Sequence, residues 1–378
     1  MVRRRETLCI HSDQPHRDET NALSFPIYQS ATFGHTDLGG TGFAYSREKN
    51  PTRSHLEHIM STLEGAASTS AFSSGMAAVS ACFELFAPSD HIVCTEDLYG
   101  GVTRLFEVVT QKNGVTVSFV DTSDLAAVEQ EIRPHTRAIY IETPSNPMMK
   151  VSDIAALARL AHSHGLLLIV DNTFLSPYLQ NPIALGADLV IHSGTKFIAG
   201  HNDTIAGFVC AGTPELGDRI ALIAKTTGAG LAPFDAWLVE RGVKTLAVRM
   251  NQQEHNAHAV AQWLTQHPHV TEVLYVGLPE NPGFRQNARQ ARGAGAMISF
   301  RTDTPQRAQR MLKKIHLVTF AESLGGVESL LTYPLTQTHA DVPELLRKKL
   351  GITNTLLRLS VGIEAADDII SDLAQALE

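Results

Sequence analysis

The sequence predicts an α/β fold, a mainly parallel sheet covered by helices on both faces, followed by a smaller α+β unit. Three observations carry this. Between about residues 56 and 245, short apolar runs alternate with amphipathic stretches: His91–Cys94, Val115–Val120, Ala138–Ile141, Leu166–Val170 and Leu189–His192. Runs this uniformly apolar suit strands buried on both faces, the usual condition of parallel strands. Asp153–His164, lying between two of them, has helical spacing and makes a crossover. After a long helix near Asn251–Gln266 the pattern changes to the separated strands Val273–Val276, Ala296–Phe300 and Leu356–Val361, closing on a helix over Asp367–Leu377.

These changes divide the chain into an arm (1–55), a large α/β domain (56–245) and a C-terminal α+β domain (246–378). The arm contains Pro15, Pro26, Gly34, Gly39, Gly40, Gly42 and Pro51 with little periodicity, so it is expected to extend across another surface.

Composition narrows the function classes. Of 378 residues, 43% are hydrophobic and 19% charged, enough apolar material for a sizeable core. The net charge of -8 gives no electrostatic basis for nucleic acid or anionic membranes as partners. Apolar runs such as Leu166–Val170 fall far short of the roughly 20 residues that span a bilayer. The arginines Arg3–Arg5 are followed by polar residues rather than a signal core, so a cytoplasmic location is expected. Cys9, Cys82, Cys94 and Cys210 are scattered, and the histidine pairs His162/His164 and His255/His258 lack companion carboxylates, so no metal site is expected.

Three stretches carry chemistry. The run Ala187–His192 leads into Ser193-Gly194-Thr195-Lys196, which puts one amine and two hydroxyls at a strand end, where open α/β sheets place their ligand crevice. Taken alone, Lys196 would also suit a solvated loop. The apolar run ending at Val170 stops on Asp171, a carboxylate that is costly to bury without a cationic partner. Adjacent strands would bring Asp171 and Lys196 to one crevice, either as a salt bridge or as the pair that pyridoxal phosphate requires: an amine to bond it and an acid to keep its ring nitrogen protonated. The third stretch, Ser73-Ser74-Gly75-Met76, opens an apolar helix whose first N–H groups suit a phosphate, although a serine N-cap is common without one. Tyr99, in Leu98-Tyr99-Gly100-Gly101, could cover the cofactor ring or simply belong to the core.

Taken in order, Tyr45-Ser46-Arg47, Asn50-Pro51-Thr52-Arg53, Ser74-Gly75-Met76, Tyr99-Gly100-Gly101, Glu142-Thr143-Pro144-Ser145-Asn146-Pro147, Asp171-Asn172-Thr173, His192–Lys196, Ala321–Ser329, Thr338-His339 and Leu357–Gly362 resemble the Cys/Met-metabolism family of pyridoxal phosphate (PLP) enzymes through nearly the whole chain. The resemblance implies a fold-type I, aminotransferase-like large domain and a tetramer of two tight dimers. It implies that Lys196 holds PLP and serves as acid and base, that Asp171 pairs the ring nitrogen, and that Tyr99 stacks on the ring. Ser74, Gly75, Met76, Ser193 and Thr195 would bind the phosphate, completed by Tyr45 and Arg47 from the neighbouring subunit. Arg358 would hold the substrate carboxylate, assisted by Asn146 and Ser323.

Within the family, Glu322 resembles the acidic residue of cystathionine γ-synthases and γ-lyases, where it would meet a distal amino group. Arg104 resembles γ-synthases and would receive a distal carboxylate. Ala44 and Glu48 depart from some γ-synthases, which carry an Asp and a second Arg there. The resemblance therefore implies γ-replacement on an O-acylated homoserine by cysteine or sulfide. Elimination from cystathionine by a β- or γ-lyase is the alternative, and a catalytically silent PLP-binding relative a third.

Overall fold

The computed structural model describes residues 3–12, 20–38, 42–340 and 342–378; Pro15, Gly39 and Gly40 of the arm lie outside the described residues. Among the described residues, the larger sheet comprises β1 (Ser68–Phe72), β2 (His91–Thr95), β3 (Thr116–Val120), β4 (Thr136–Glu142), β5 (Leu167–Asp171), β6 (Leu189–Ser193) and β7 (Gly207–Ala211), in the order β1-β7-β6-β5-β4-β2-β3. Strands β2 to β6 pair in parallel, and β7 runs against both its neighbours.

The continuous apolar runs have a direct structural cause. Val93, Ile139, Ile141, Leu168, Val170 and Val190 face one core, built with the helices Pro51–Glu64, Ile154–Ser163 and Leu246–Gln266. The intervening Ile92, Cys94, Tyr140, Ile169 and Ile191 face a second core under the helix Gly75–Phe83. Each fully buried Val, Leu or Ile contributes about 1.5–3 kcal/mol. The crossover helix starts where Asp153 caps it, its side chain accepting the Ala156 N–H at 2.9 Å.

The smaller sheet comprises β8 (Val270–Leu274), β9 (Met297–Thr302), β10 (Thr319–Phe320), β11 (Leu330–Thr332) and β12 (Leu356–Ser360), ordered β10-β11-β12-β9-β8 and antiparallel except for β10/β11. The last helix spans Ala366–Leu377.

Several elements differ from the sequence expectation. The arm contains a helix, Arg5–His11, anchored by buried Cys9 and by Arg5 donating to the carbonyls of Leu63 and Pro177. Strand β8 lies nearer the N-terminus than the apolar run suggests, because Tyr275 and Val276 are buried in the turn after it. Strands β1 and β7 were not anticipated. β1 is rich in small hydroxyl residues, and β7 begins with Gly207, where a Cβ would lie 2.1 Å from the Ser74 carbonyl oxygen. The glycine that weakens the strand pattern is thus what lets β7 abut the turn opening the helix Gly75–Phe83.

Candidate active site

The C-terminal ends of adjacent parallel strands deliver Glu142 (β4), Asp171 (β5) and Ser193 (β6) to one crevice. It opens into a cavity of about 380 Å³. Ser74, Gly75, Met76, Tyr99, Asn146, Asp171, Ser193, Thr195, Lys196, Glu322, Ser323 and Arg358 all line it, so the structure brings together twelve of the residues singled out from sequence. Tyr45, Arg47 and Arg104 do not line it. Arg47 donates to the Lys225 carbonyl and packs over the ring of Tyr45, while Arg104 lies exposed on the helix Gly100–Leu105.

Lys196 Nζ donates to Ser323 Oγ at 2.7 Å. Burial, with Arg358 nearby, lowers the Lys196 amine to about 8. The backbone immediately after Lys196 is fixed by Arg249, a residue that sequence reasoning missed. That guanidinium, itself buried, donates to the carbonyls of Phe197, Ile198 and Gly242 at 2.6–3.1 Å. A long helix gave no sign that one of its arginines turns inward.

Arg358, at the centre of the smaller sheet, is fully buried and donates to Asn146 Oδ1 at 3.0 Å, the Ser323 carbonyl at 2.9 Å and Thr332 Oγ1 at 3.1 Å. Its Nε has no partner in the protein. Burial lowers it to about 10, so it remains a cation at neutral pH and presents an unsatisfied donor to an anion. Asn146, by accepting from Arg358 through Oδ1, keeps its amide protons for a ligand.

Asp171 Oδ1 accepts the Thr173 N–H at 3.0 Å. No Lys or Arg pairs with Asp171 among the described residues, although burial raises its proton affinity. A carboxylate in that position calls for a cationic partner, and a protonated ring nitrogen supplies one. Glu142, its register partner on β4, was overlooked although it ends an apolar run just as Asp171 does. Burial and the neighbouring Asp171 hold Glu142 far above the ordinary carboxylate range.

The phosphate end is similarly prepared. Ser74 caps the helix Gly75–Phe83 by accepting from the Ala77 N–H at 3.0 Å, and a Cβ on Gly75 would stand 3.0 Å from Ser193 Cβ and Oγ. This leaves a narrow cradle of helix N–H groups suited to an anion. Thr195 lines the cavity, but its hydroxyl proton goes to the Ala206 carbonyl at 3.2 Å. An unpaired acid at one end, an amine beside it and an anion cradle at the other fit pyridoxal phosphate. Among the described residues no group of three or more His, Cys, Asp or Glu could hold a metal ion, and no helix is long and apolar enough to cross a membrane.

Comparison with known proteins agrees with this geometry. The family model described as Cys/Met metabolism PLP-dependent enzyme matches residues 6–378. A cystathionine gamma-synthase of Haemophilus influenzae is 48% identical over 98% of this chain and 97% of its own length. A cystathionine gamma-lyase of Bacillus subtilis is 46% identical over 99% of both chains, and a cystathionine beta-lyase of Lactococcus lactis 44% over 99% and 98%. The crystal structure of cystathionine gamma-lyase from Lactobacillus plantarum superimposes with a TM-score of 0.97 at 45% identity, covering 99% of this chain and 98% of that one.

Proposed function

From the premise that this chain belongs to the Cys/Met metabolism PLP-dependent enzyme family and is a PLP-dependent trans-sulfuration enzyme, we propose that it catalyses γ-replacement, joining cysteine or sulfide to an O-acylated homoserine. One observation carries this reading. Glu322 lines the cavity immediately beside Ser323, which bonds Lys196, so a carboxylate faces the space beyond the reacting amine. A distal ammonium group, carried by an incoming cysteine and by cystathionine but not by sulfide, is the natural occupant of that position, so Glu322 supports γ-chemistry and the experiment below separates replacement from elimination.

The cofactor supplies an electron sink for the negative charge that develops at the substrate α-carbon. Lys196 would carry protons: with its amine lowered to about 8 it has an appreciable neutral fraction near pH 7, and it would take the proton from the α-carbon, hand it on to the cofactor and, neutral again, take one from the β-carbon. Ser323 holds the Lys196 amine between these transfers. Arg358 and Asn146 fix the substrate α-carboxylate. Asp171 holds the protonated ring nitrogen, and Ser74, Gly75, Met76 and Ser193 hold the phosphate. Tyr45 and Arg47, which lie away from this chain's own cavity, would complete the phosphate site of a neighbouring subunit in a dimer of dimers.

Elimination from cystathionine is the second reading, favoured by relatives named gamma-lyase and beta-lyase at 46% and 44% identity. Incubating the holoenzyme with cystathionine alone and identifying products by mass spectrometry separates the two. Intact cystathionine, followed by its formation from O-acylhomoserine and cysteine, supports γ-replacement. Release of 2-oxobutyrate with cysteine makes the enzyme a γ-lyase, and pyruvate with homocysteine makes it a β-lyase; either overturns the first reading.

A further inference from the structure

The backbone around Tyr99 has few means of its own to hold the ring in place. Tyr99 sits at the N-cap of the helix Gly100–Leu105 without a side-chain capping bond, and it is followed by two glycines. Its side chain stays 40% exposed in the cavity mouth. Neither glycine contributes packing, and both are required: a Cβ at Gly101 would strike the Tyr99 ring at 2.4 Å, and one at Gly100 would lie 2.3 Å from the Thr338 carbonyl oxygen.

The anchoring falls on a single peptide group. The N–H of Tyr99 donates to Glu142 Oε2 at 3.0 Å. The carbonyl of Leu98, the other half of the same peptide plane, lies 3.2 Å from His339 Nε2. That nitrogen is also 3.1 Å from the carbonyl of Asn146. Carbonyls only accept, so Nε2 must carry the proton, and Nδ1 is then free to accept from the Thr338 hydroxyl at 2.8 Å. Burial, with Arg358 nearby, lowers the imidazole to about 4, so this neutral tautomer persists across any working pH. Glu142 accepts through Oε2 whether or not its other oxygen is protonated, so the second bond is equally insensitive to titration.

We propose that His339 and Glu142 are positioning residues that clamp the Leu98–Tyr99 peptide group from opposite ends, holding the Tyr99 ring over the cofactor, and that His339 ties Asn146 into the same clamp. Residues from β4 and from the loop after β11 thereby meet on one peptide plane, so the alignment of the ring depends on the docking of the two sheets. This rests on the reading of Tyr99 as the ring that covers PLP.

A double-mutant cycle on the holoenzyme tests it. His339→Asn, whose shorter amide cannot reach the two carbonyls, and His339→Gln, whose amide can, are made alone and together with Tyr99→Ala. The readouts are the visible circular dichroism of the bound cofactor and kcat/KM. With Tyr99 present, His339→Asn is expected to lower kcat/KM on the order of tenfold to a hundredfold and to at least halve the dichroism, while His339→Gln retains most of both. In the Tyr99→Ala background His339→Asn should change the dichroism less than about twofold, since no ring remains to be aligned, while kcat/KM falls less than in the Tyr99 background, the remaining loss reflecting the hold of His339 on Asn146. Equal losses of dichroism in both backgrounds, or no rescue by Gln, overturn the clamp. If Tyr99→Ala leaves dichroism and kcat/KM unchanged, the stacking reading falls, and the clamp with it.

Discussion

Lys196 Nζ and Ser323 Oγ lie 2.7 Å apart, a hydrogen bond between residues 127 positions apart in sequence. The lysine follows β6 of the large sheet, and the serine precedes β11 of the small one. Ser323 adopts a left-handed φ of 80°, a conformation uncommon for a residue with a side chain. The amine therefore has its partner only when the two sheets are docked.

That environment predicts an unusually reactive lysine. Burial lowers the amine to about 8, so at pH 7 roughly a tenth of Lys196 is neutral, far more than of a solvated lysine. Competitive labelling of the apoenzyme with trace acetic anhydride, read by peptide mass spectrometry, should show Lys196 reactivity rising tenfold per pH unit below about 8 and levelling above it. A midpoint near that of the surface lysines would contradict the burial argument. Lys196→Ala should keep the fold and lose turnover.

Arg358→Lys tests the carboxylate site. The guanidinium has three of its five N–H donors committed to Asn146, Ser323 and Thr332 and two to spare, Nε among them, a geometry that a single ammonium cannot reproduce. We expect kcat/KM to fall by about 2–4 kcal/mol of transition-state stabilisation, mainly through KM, with the cofactor spectrum unchanged. An unchanged KM would remove Arg358 from substrate binding.

The parts of the site legible in the sequence were those where local pattern and chemistry coincide. Asp171 and Ser193 could be found because buried strands cannot end on polar residues without cause, and Ser74 because small residues before an apolar run mark a helix start. Glu142 gave the same signal as Asp171 and was passed over because its partner is a backbone N–H, invisible without coordinates. Arg249 was illegible for a different reason: it acts on carbonyls far away in sequence, and nothing in its own neighbourhood distinguishes it from a surface residue. His339 stands out within the Thr338-His339 motif, but its role does not, because the Leu98 and Asn146 carbonyls it serves are equally remote. Strand β1 escaped because its small hydroxyl side chains carry no apolar signal, and β7, although Phe208, Val209 and Cys210 are apolar and buried, because it is a short run opened by a glycine.

Gly207→Ala probes the phosphate cradle through the backbone. An added Cβ would meet the Ser74 carbonyl oxygen at 2.1 Å and the Gly75 Cα at 2.8 Å, both main-chain atoms that cannot swing aside. The helix start must shift, and with it the N–H groups that face the anion. Cofactor affinity, measured by titrating apoenzyme with pyridoxal phosphate, should weaken at least about tenfold, a loss of roughly 1.4 kcal/mol. A wild-type affinity in a folded variant would mean that the cradle tolerates the shift.

The last prediction concerns completeness of the site. Tyr45 is half exposed and Arg47 is held by the Lys225 carbonyl, so in this chain neither reaches the cavity that holds Lys196. If they serve a neighbour, an assembly of two defective chains can contain one sound site: Lys196 from the Tyr45→Ala chain together with Tyr45 from the Lys196→Ala chain. Mixing the two inactive variants, dissociating them in mild denaturant and reassembling them should restore activity toward a quarter of wild type. That ceiling follows from random pairing, in which half of the dimers are mixed and each mixed dimer carries one intact site of two. Mass spectrometry of the native assembly would establish that exchange took place. Recovery well above the background of either variant supports a shared site, whereas confirmed mixed dimers without activity would mean that Tyr45 works, if at all, within its own chain.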